Sequence, residues 1–336
     1  MPQPILSIRD LHVSLRLGGT EHDAVRGVSL NLNKGEVLAI VGESGSGKSL
    51  TALSVLGLLP RGIAAISSGE IHFDGKDLAQ ASNAELDRVR GSGIGIIFQE
   101  PLSALNPVMR VGDQIIEGIV RRGEASRKQA RKMALETLIG VRISDPERRM
   151  KQYPHELSGG MRQRAMIALA LVSNPAVLIA DEPTTALDVT VQAQILSLLK
   201  AQQKSRDLSM IIITHDLGIV AEVADRVAVM YAGEIVEAGE VETILSRPKH
   251  PYTLGLLSCL PEFSDGGRRL AVIAGSIPSL TESVSGCVFK TRCPLYMQGP
   301  CDARIALTSG PDGHAFRCIR PIGSETPAES EQTRHA

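Results

Sequence analysis

Apolar residues change their spacing several times along the chain, and each change marks an element. In "LSIRDLHVSL" (6–15) and "AVRGVSLNLN" (24–33) they recur at every second position, the spacing of strands with one buried face. The two stretches read as an antiparallel pair joined around Gly18 and Gly19. "EVLAIVG" (36–42) is apolar without interruption, so it reads as a strand buried on both faces. A helix is predicted over 48–59, ending before Pro60. "GEIHFDGKDL" (69–78) predicts a hairpin turning at Asp74 and Gly75, and "IGIIFQ" (94–99) predicts another short buried strand.

From 111 to 140 the spacing becomes helical, with Ile115, Ile116, Ile119 and Val120 on one face and Met133, Leu135, Leu138 and Ile139 on another. "VLIAD" (177–181) and "MIIIT" (210–214) are buried strands separated by a helical stretch over 189–205. "RVAVMYAGEIVEAGE" (226–240) predicts a hairpin turning at Ala232 and Gly233. Strands that alternate with helices imply an α/β fold, a mainly parallel sheet with an antiparallel edge. Beyond Arg247 the chain is richer in Pro, Gly and Cys and lacks long periodic runs. The expected division is 1–245, with helical content concentrated over 105–165; a small cysteine-bearing extension over 246–320; and a disordered polar tail over 321–336.

A chain of 336 residues can form one large domain and a smaller one. Its formal net charge of −1 gives no general attraction to nucleic acid or anionic lipid. No apolar run approaches the ~20 residues that span a bilayer, and "MPQPILSIRD" lacks the layout of a signal peptide. The chain reads as cytosolic, able to dock on a membrane protein. Cysteine use is uneven: none precedes Cys259, and Cys287, Cys293, Cys301 and Cys318 then follow. Thiols stay reduced in the cytosol, which argues against a disulfide framework.

"GESGSGKS" (42–49) fits G-x-x-x-x-G-K-[ST], between a buried strand and a helix. Its glycines let the backbone turn N–H groups inward at phosphate oxygens, at the positive end of a helix dipole. Lys48 adds a point charge toward the β- and γ-phosphates, and Ser49 a hydroxyl for Mg²⁺. The nucleotide-binding positions on this reading are Gly42, Glu43, Ser44, Gly45, Ser46, Gly47, Lys48, Ser49 and Leu50. A Mg²⁺ carboxylate is then required at the end of a neighbouring strand. Asp181 ends "VLIAD", and Glu182 follows where it can orient and polarise an attacking water.

Further motifs add a family. "LSGGMRQR" (157–164) precedes "VLIADEP" and resembles the signature of ATP-binding-cassette ATPases. The order phosphate loop, Gln99, signature, Asp181 and Glu182, "TALD", His215 is that family's order. "FQEPLSALNPVMRVGDQI" (98–115), "YPHELSGGMRQR" (153–164) and "RPKHPYTLGLLSCLP" (247–261) resemble the ATPase subunits of oligopeptide and dipeptide importers. The resemblance implies that Ser158, Gly159, Gly160 and Gln163 face the nucleotide of an opposing subunit. It makes His215 a γ-phosphate contact, puts Gln99 at Mg²⁺ or the water, and lays Asp188 across the dimer interface. The family's usual adenine-stacking aromatic is replaced here by Leu15 or Leu17.

Function and partners follow from the resemblance as expectations. The chain would be an ATP-hydrolysing importer subunit, peripheral on the cytoplasmic face of the inner membrane. It would work with a second, homologous ATPase, two transmembrane permeases and an extracytoplasmic solute-binding protein, without nucleic acid. Alternatives are the same subunit for nickel or another small solute, or a non-transport cassette ATPase.

Cys287, Cys293, Cys301 and Cys318, spaced C-x5-C-x7-C-x16-C, are expected to ligate one [4Fe–4S] cluster, as the resembled subfamily implies. Zn²⁺ is the alternative, although the tight C-x₂₋₄-C pairs of structural zinc sites are missing. Cys259 reads as a buried apolar residue.

Overall fold

The unbroken apolar run after Glu36 forms a strand in which every residue is buried, and the fold is assembled around it. The computed structural model describes residues 3–185, 187–260, 273–282 and 284–323. The chain begins with β1 (Leu6–Leu17), β2 (Thr20–Leu32), β3 (Val37–Val41), α1 (Lys48–Val55), β4 (Ala64–Phe73) and β5 (Lys76–Asp77). It continues through α2 (Asn83–Val89), β6 (Ile94–Ile97), α3 (Pro101–Ala104), α4 (Val111–Arg121), α5 (Arg127–Gly140), α6 (Pro146–Arg149) and α7 (Gly159–Leu171). Then come β7 (Val177–Asp181), α8 (Val189–Arg206), β8 (Ser209–Thr214), α9 (Leu217–Val223), β9 (Arg226–Tyr231) and β10 (Glu234–Glu240). The last elements are α10 (Val241–Ser246), α11 (Pro251–Ser258), β11 (Thr308–Ser309) and β12 (Ala315–Phe316).

Two sheets result. One has four strands in the order β2-β1-β4-β5, all antiparallel. The other has eight, in the order β11-β12-β10-β9-β3-β8-β7-β6. Its pairs from β9 to β6 are parallel, and those from β9 out to β11 antiparallel. This is the α/β architecture that the alternation of elements implies. Register fixes where chemistry can gather. Val41 pairs with Thr214 and Asp181 with Ile213, so the segments leaving β3, β7 and β8 emerge side by side at one end of the sheet.

Side chains of β3 alternate between layers, as the pleat requires. Val37 joins a core with α4, α5, α7 and α8, and Leu38 and Ile40 join one with α1 and the antiparallel sheet. Ala39 and Val41 join a third core with Tyr231, Tyr252, Val288 and Phe289. Thus residues from beyond 250 pack directly against the central strand. In the same region the Glu237 carboxylate is fully buried and accepts from the Lys249 N–H, the His250 N–H and the His314 ring at 2.6, 2.9 and 2.6 Å. Burial lowers the pKa of His250 to about 3, so it is neutral.

Three local expectations shift. The helix predicted over 48–59 stops at Val55. Gly57 takes φ +59°, and the Leu58 N–H reaches back to the Leu53 carbonyl at 2.9 Å, a left-handed helix end that glycine permits. The helical stretch 111–140 is two helices, because Gly123 turns and Ser126 caps the second with a capping box to Gln129. The inward face of α5 is Ala130, Ala134, Thr137 and Leu138, whereas Ile139 is 57% exposed. No helix among the described residues is long and apolar enough to cross a membrane. Most of the tail expected to be disordered, 324–336, lies outside the described residues.

Candidate functional site

The loop after β3 curls tightly at two glycines that admit no side chain. A Cβ on Gly42 would lie 2.1 Å from the Met230 carbonyl oxygen, and one on Gly47, at φ +100°, 2.8 Å from Met230 Cε. The loop therefore nests against β9 and delivers Lys48 as the first residue of α1. Lys48 is 5% exposed, and its ammonium donates to the carbonyls of Gly42 and Glu43 at 2.7 and 2.9 Å. Burial lowers its pKa, while Glu182, Asp181 and Glu43 act in the opposite sense.

Asp181, at the end of β7, is 7% exposed, and burial raises its pKa despite a hydrogen bond from Ser49. Its Oδ1 has no hydrogen-bond partner. An orphaned carboxylate oxygen beside a hydroxyl is a pair of hard oxygen donors suited to a small divalent cation. Ser46 Oγ, fully buried, is likewise without a partner.

Glu182 follows with φ +45°, a left-handed turn of the backbone that a non-glycine residue adopts under local constraint. Its Oε2 accepts from Gln99 Nε2 at 2.9 Å and from the Thr185 hydroxyl at 2.8 Å, and His215 Nδ1 lies 3.4 Å from Oε1. The side chain of His215 is 63% exposed and that of Glu182 14%. The chain ends of β6, β7 and β8 thus bring Gln99, Asp181, Glu182 and His215 together beside Lys48. Thr185 was not singled out from the sequence; its position three residues after Glu182 is the signal that could have found it.

Other expected positions lie elsewhere. Ser158 caps α7, its Oγ accepting from the Met161 N–H at 3.4 Å. Ser158 and Gly159 are exposed, and among the described residues neither they nor Gly160 bond to the phosphate loop. Asp188 caps α8 through the Val191 N–H at 2.9 Å and is exposed beside Val189, which is 83% exposed. Gln163 is 2% exposed, and its amide donates to the Pro183 carbonyl. It ties α7 to the segment after β7 instead of facing outward. Leu50 is half-buried against the core of the antiparallel sheet. The Glu43 carboxylate turns away from the loop interior to Arg292.

The cysteine expectation requires correction. No group of three or more His, Cys, Asp or Glu side chains is arranged to hold a metal ion among the described residues, so neither an iron–sulfur cluster nor zinc is supported at Cys287, Cys293, Cys301 and Cys318. Burial pushes the Cys287 thiol up to about 11 and raises Cys293 and Cys318 as well, the neighbouring cysteines acting in the same sense. Cys287 and Cys293 pack against the core of Tyr231, Tyr252 and Phe289, and Cys301 Sγ accepts the Met297 N–H. Cys287 and Cys293 serve there as small apolar residues.

A family model described as ABC transporter matches residues 25–185, and one described as oligopeptide/dipeptide transporter, C-terminal region, matches residues 236–301. The chain is 51% identical over 317 residues to the dipeptide transport ATP-binding protein DppD of Bacillus subtilis (strain 168), covering 94% of each. It is 53% identical over 295 residues to the oligopeptide transport ATP-binding protein OppD of the same organism, covering 88% of this chain and 82% of that one. Among solved structures, a dimeric bacterial ABC transporter cassette, MJ0796, superposes with a TM-score of 0.62 at 30% identity, covering 70% of this chain and 98% of that one. A second structure of MJ0796, in a post-hydrolysis state bound to ADP and Pi, matches equally well. With the phosphate loop, the paired acids and the signature all in place, the chain belongs to the ABC transporter family and carries the C-terminal region of its oligopeptide/dipeptide transporters.

Proposed function

We propose that the chain is the ATP-binding and ATP-hydrolysing subunit of a membrane importer of dipeptides or oligopeptides. The observation that carries this reading is the acid pair at the end of β7: Asp181 beside Ser49, and Glu182 held by Gln99, Thr185 and His215. Lys48 and the amides of 42–49 hold the polyphosphate, the lysine as a point charge aimed by its two carbonyl anchors. Ser49 and Asp181 would hold Mg²⁺, with Gln99 nearby; when bound, the ion neutralises charge on the phosphates. Glu182 takes a proton from the attacking water. Two donors on Oε2 fix its orientation and leave Oε1 to accept. His215, largely exposed, contributes a polar contact from the solvent side.

Ser158, Gly159, Gly160 and Asp188 serve a second ATPase subunit. The exposure of Ser158, Gly159 and Asp188, and the lack among the described residues of bonds from these positions to this chain's own phosphate loop, favour a site shared between two subunits. The partner is a homologous but distinct ATPase. Two permeases and a solute-binding protein complete the importer, and this subunit sits peripherally on the cytoplasmic face. The cassette occupies 1–245, with its helical part over 105–165, and the peptide-importer extension 246–320. In the complex isolated with its permeases, Lys48→Ala should abolish ATP binding and with it peptide-stimulated hydrolysis. Unchanged ATP affinity would overturn the site, and hydrolysis indifferent to delivered peptide would overturn the substrate class.

A further inference from the structure

We propose that Arg292 is a positioning residue of the ATP site, holding Glu43, and through it the anchor of Lys48, from the outer side of the phosphate loop. The inference rests on the ATP-site reading above. Arg292 is separated from Glu43 by 249 positions, yet its Nη1 lies 3.0 Å from each carboxylate oxygen. Nη1 also donates to the Tyr231 hydroxyl at 3.2 Å, Nε to the Ala274 carbonyl at 2.9 Å and Nη2 to the Ile273 carbonyl at 3.1 Å. Every guanidinium nitrogen is committed, and the side chain is 5% exposed. Its carbon centre stands 5.6 Å from the Tyr231 ring and 5.9 Å from the Phe289 ring, within cation–π range.

Tyr252 completes the grip. It is fully buried, packs against Tyr231 and Phe289, and its hydroxyl accepts the Glu43 N–H at 2.9 Å. Glu43 therefore has all three of its polar groups fixed. Residues of the C-terminal region take the amide and the carboxylate, and Lys48 takes the carbonyl at 2.9 Å. A glutamate at this place in a phosphate loop has no need of a buried cation; an exposed one would be hydrated. Here the carboxylate neutralises a guanidinium that is itself locked to the body of the protein, so the loop inherits that rigidity. An ordered Glu43 carbonyl aims the Lys48 ammonium before nucleotide arrives, which lowers the ordering cost of binding.

A purely fastening role, holding the C-terminal region to the rest of the chain, would lower Tm and leave ATP affinity alone. The positioning role changes affinity. The test is calorimetric titration of the full chain with ATP, well below each variant's Tm, for Arg292→Met, Arg292→Lys, Glu43→Gln, the double variant Glu43→Gln/Arg292→Met, and Lys48→Ala. Arg292→Met and Glu43→Gln should each raise Kd at least about fivefold, the change that corresponds to losing roughly one net hydrogen bond. In the assembled complex KM should rise more than kcat falls. Arg292→Lys should recover part of the affinity, and the double variant should be no weaker than the worse single one, because both remove the same contact. If Arg292→Met does not fold, Glu43→Gln decides alone, since it leaves the guanidinium in place. ATP binding within about twofold of the parent in Arg292→Met and Glu43→Gln, alongside loss in Lys48→Ala, would overturn the role of Arg292 and leave the ATP site standing. Normal binding by Lys48→Ala would instead remove the ATP-site reading and this inference with it.

Discussion

Replacing Glu182 by glutamine separates the chemistry of the site from its architecture. The side chain keeps its volume, and its remaining oxygen can still accept from Gln99 or Thr185, which now lie 2.9 and 2.8 Å from Oε2. At most one of those bonds is lost, a loss of about 0.5–1.5 kcal/mol in stability. The rate should suffer far more. A positioned general base contributes roughly 10²–10⁴-fold, or about 2.7–5.4 kcal/mol at 1.36 kcal/mol per tenfold. Binding should move the other way or not at all. Glu182 is a negative charge near the place where polyphosphate is held, and it raises the pKa values of both Lys48 and Asp181. Neutralising it removes repulsion against the nucleotide. The variant should therefore bind ATP at least as tightly as the parent, hydrolyse it at least a hundred times more slowly by the same principle, and accumulate as a closed ATPase dimer. Phosphate release from the reconstituted complex gives the rate, filter retention of labelled ATP the binding, and gel filtration with ATP the dimer. Turnover within about threefold of the parent would remove Glu182 from the role of base.

Asp181→Asn should stabilise the nucleotide-free chain while abolishing hydrolysis. Burial raises the pKa of Asp181 above 3.8 in the fold, so its ionised form opposes folding; that penalty is absent below the unfolded pKa and complete above the folded one. The gain should appear as a higher Tm of the nucleotide-free variant at neutral pH. The advantage should vanish as the pH falls toward 3.8, and a variant less stable than the parent at pH 7 would refute the argument. His215→Ala, at a side chain 63% exposed, should leave Tm unchanged and reduce kcat more than ATP affinity; a loss confined to affinity would count against its place beside Glu182.

Much of this was legible in the sequence because the signals are local. The run 36–42, the loop 42–49 and the acids after β7 each carry their structure within a few residues. Strand register could not be read, yet register is what sets Asp181 beside Ile213 and Val41 beside Thr214 and so gathers the site. The resemblance turned Gln163 toward an opposing subunit; only the position of the Pro183 carbonyl reveals that it points in. The cysteine spacing misled for a related reason. Separation along the chain says how far a loop can reach, not which way four thiols face, and here two of them, Cys287 and Cys293, pack against the aromatic core of Tyr231, Tyr252 and Phe289. Arg292 carried no signal at all, since its partner is 249 positions away and belongs to a motif whose known purpose lies on its other side.

The buried carboxylate of Glu237 has a consequence for heredity. It is fully buried and binds two backbone amides and a histidine 77 positions distant. A change of Glu237 to an apolar residue strands three donors, and a change of His314 alone removes one of the three that the carboxylate accepts. Each substitution alone should therefore cost stability, whereas the pair replaced together leaves only two amides to satisfy. In descendants of this gene, β10 and the hairpin of β11 and β12 should therefore drift in step, their sequences coupled as tightly as if they were neighbours in the message.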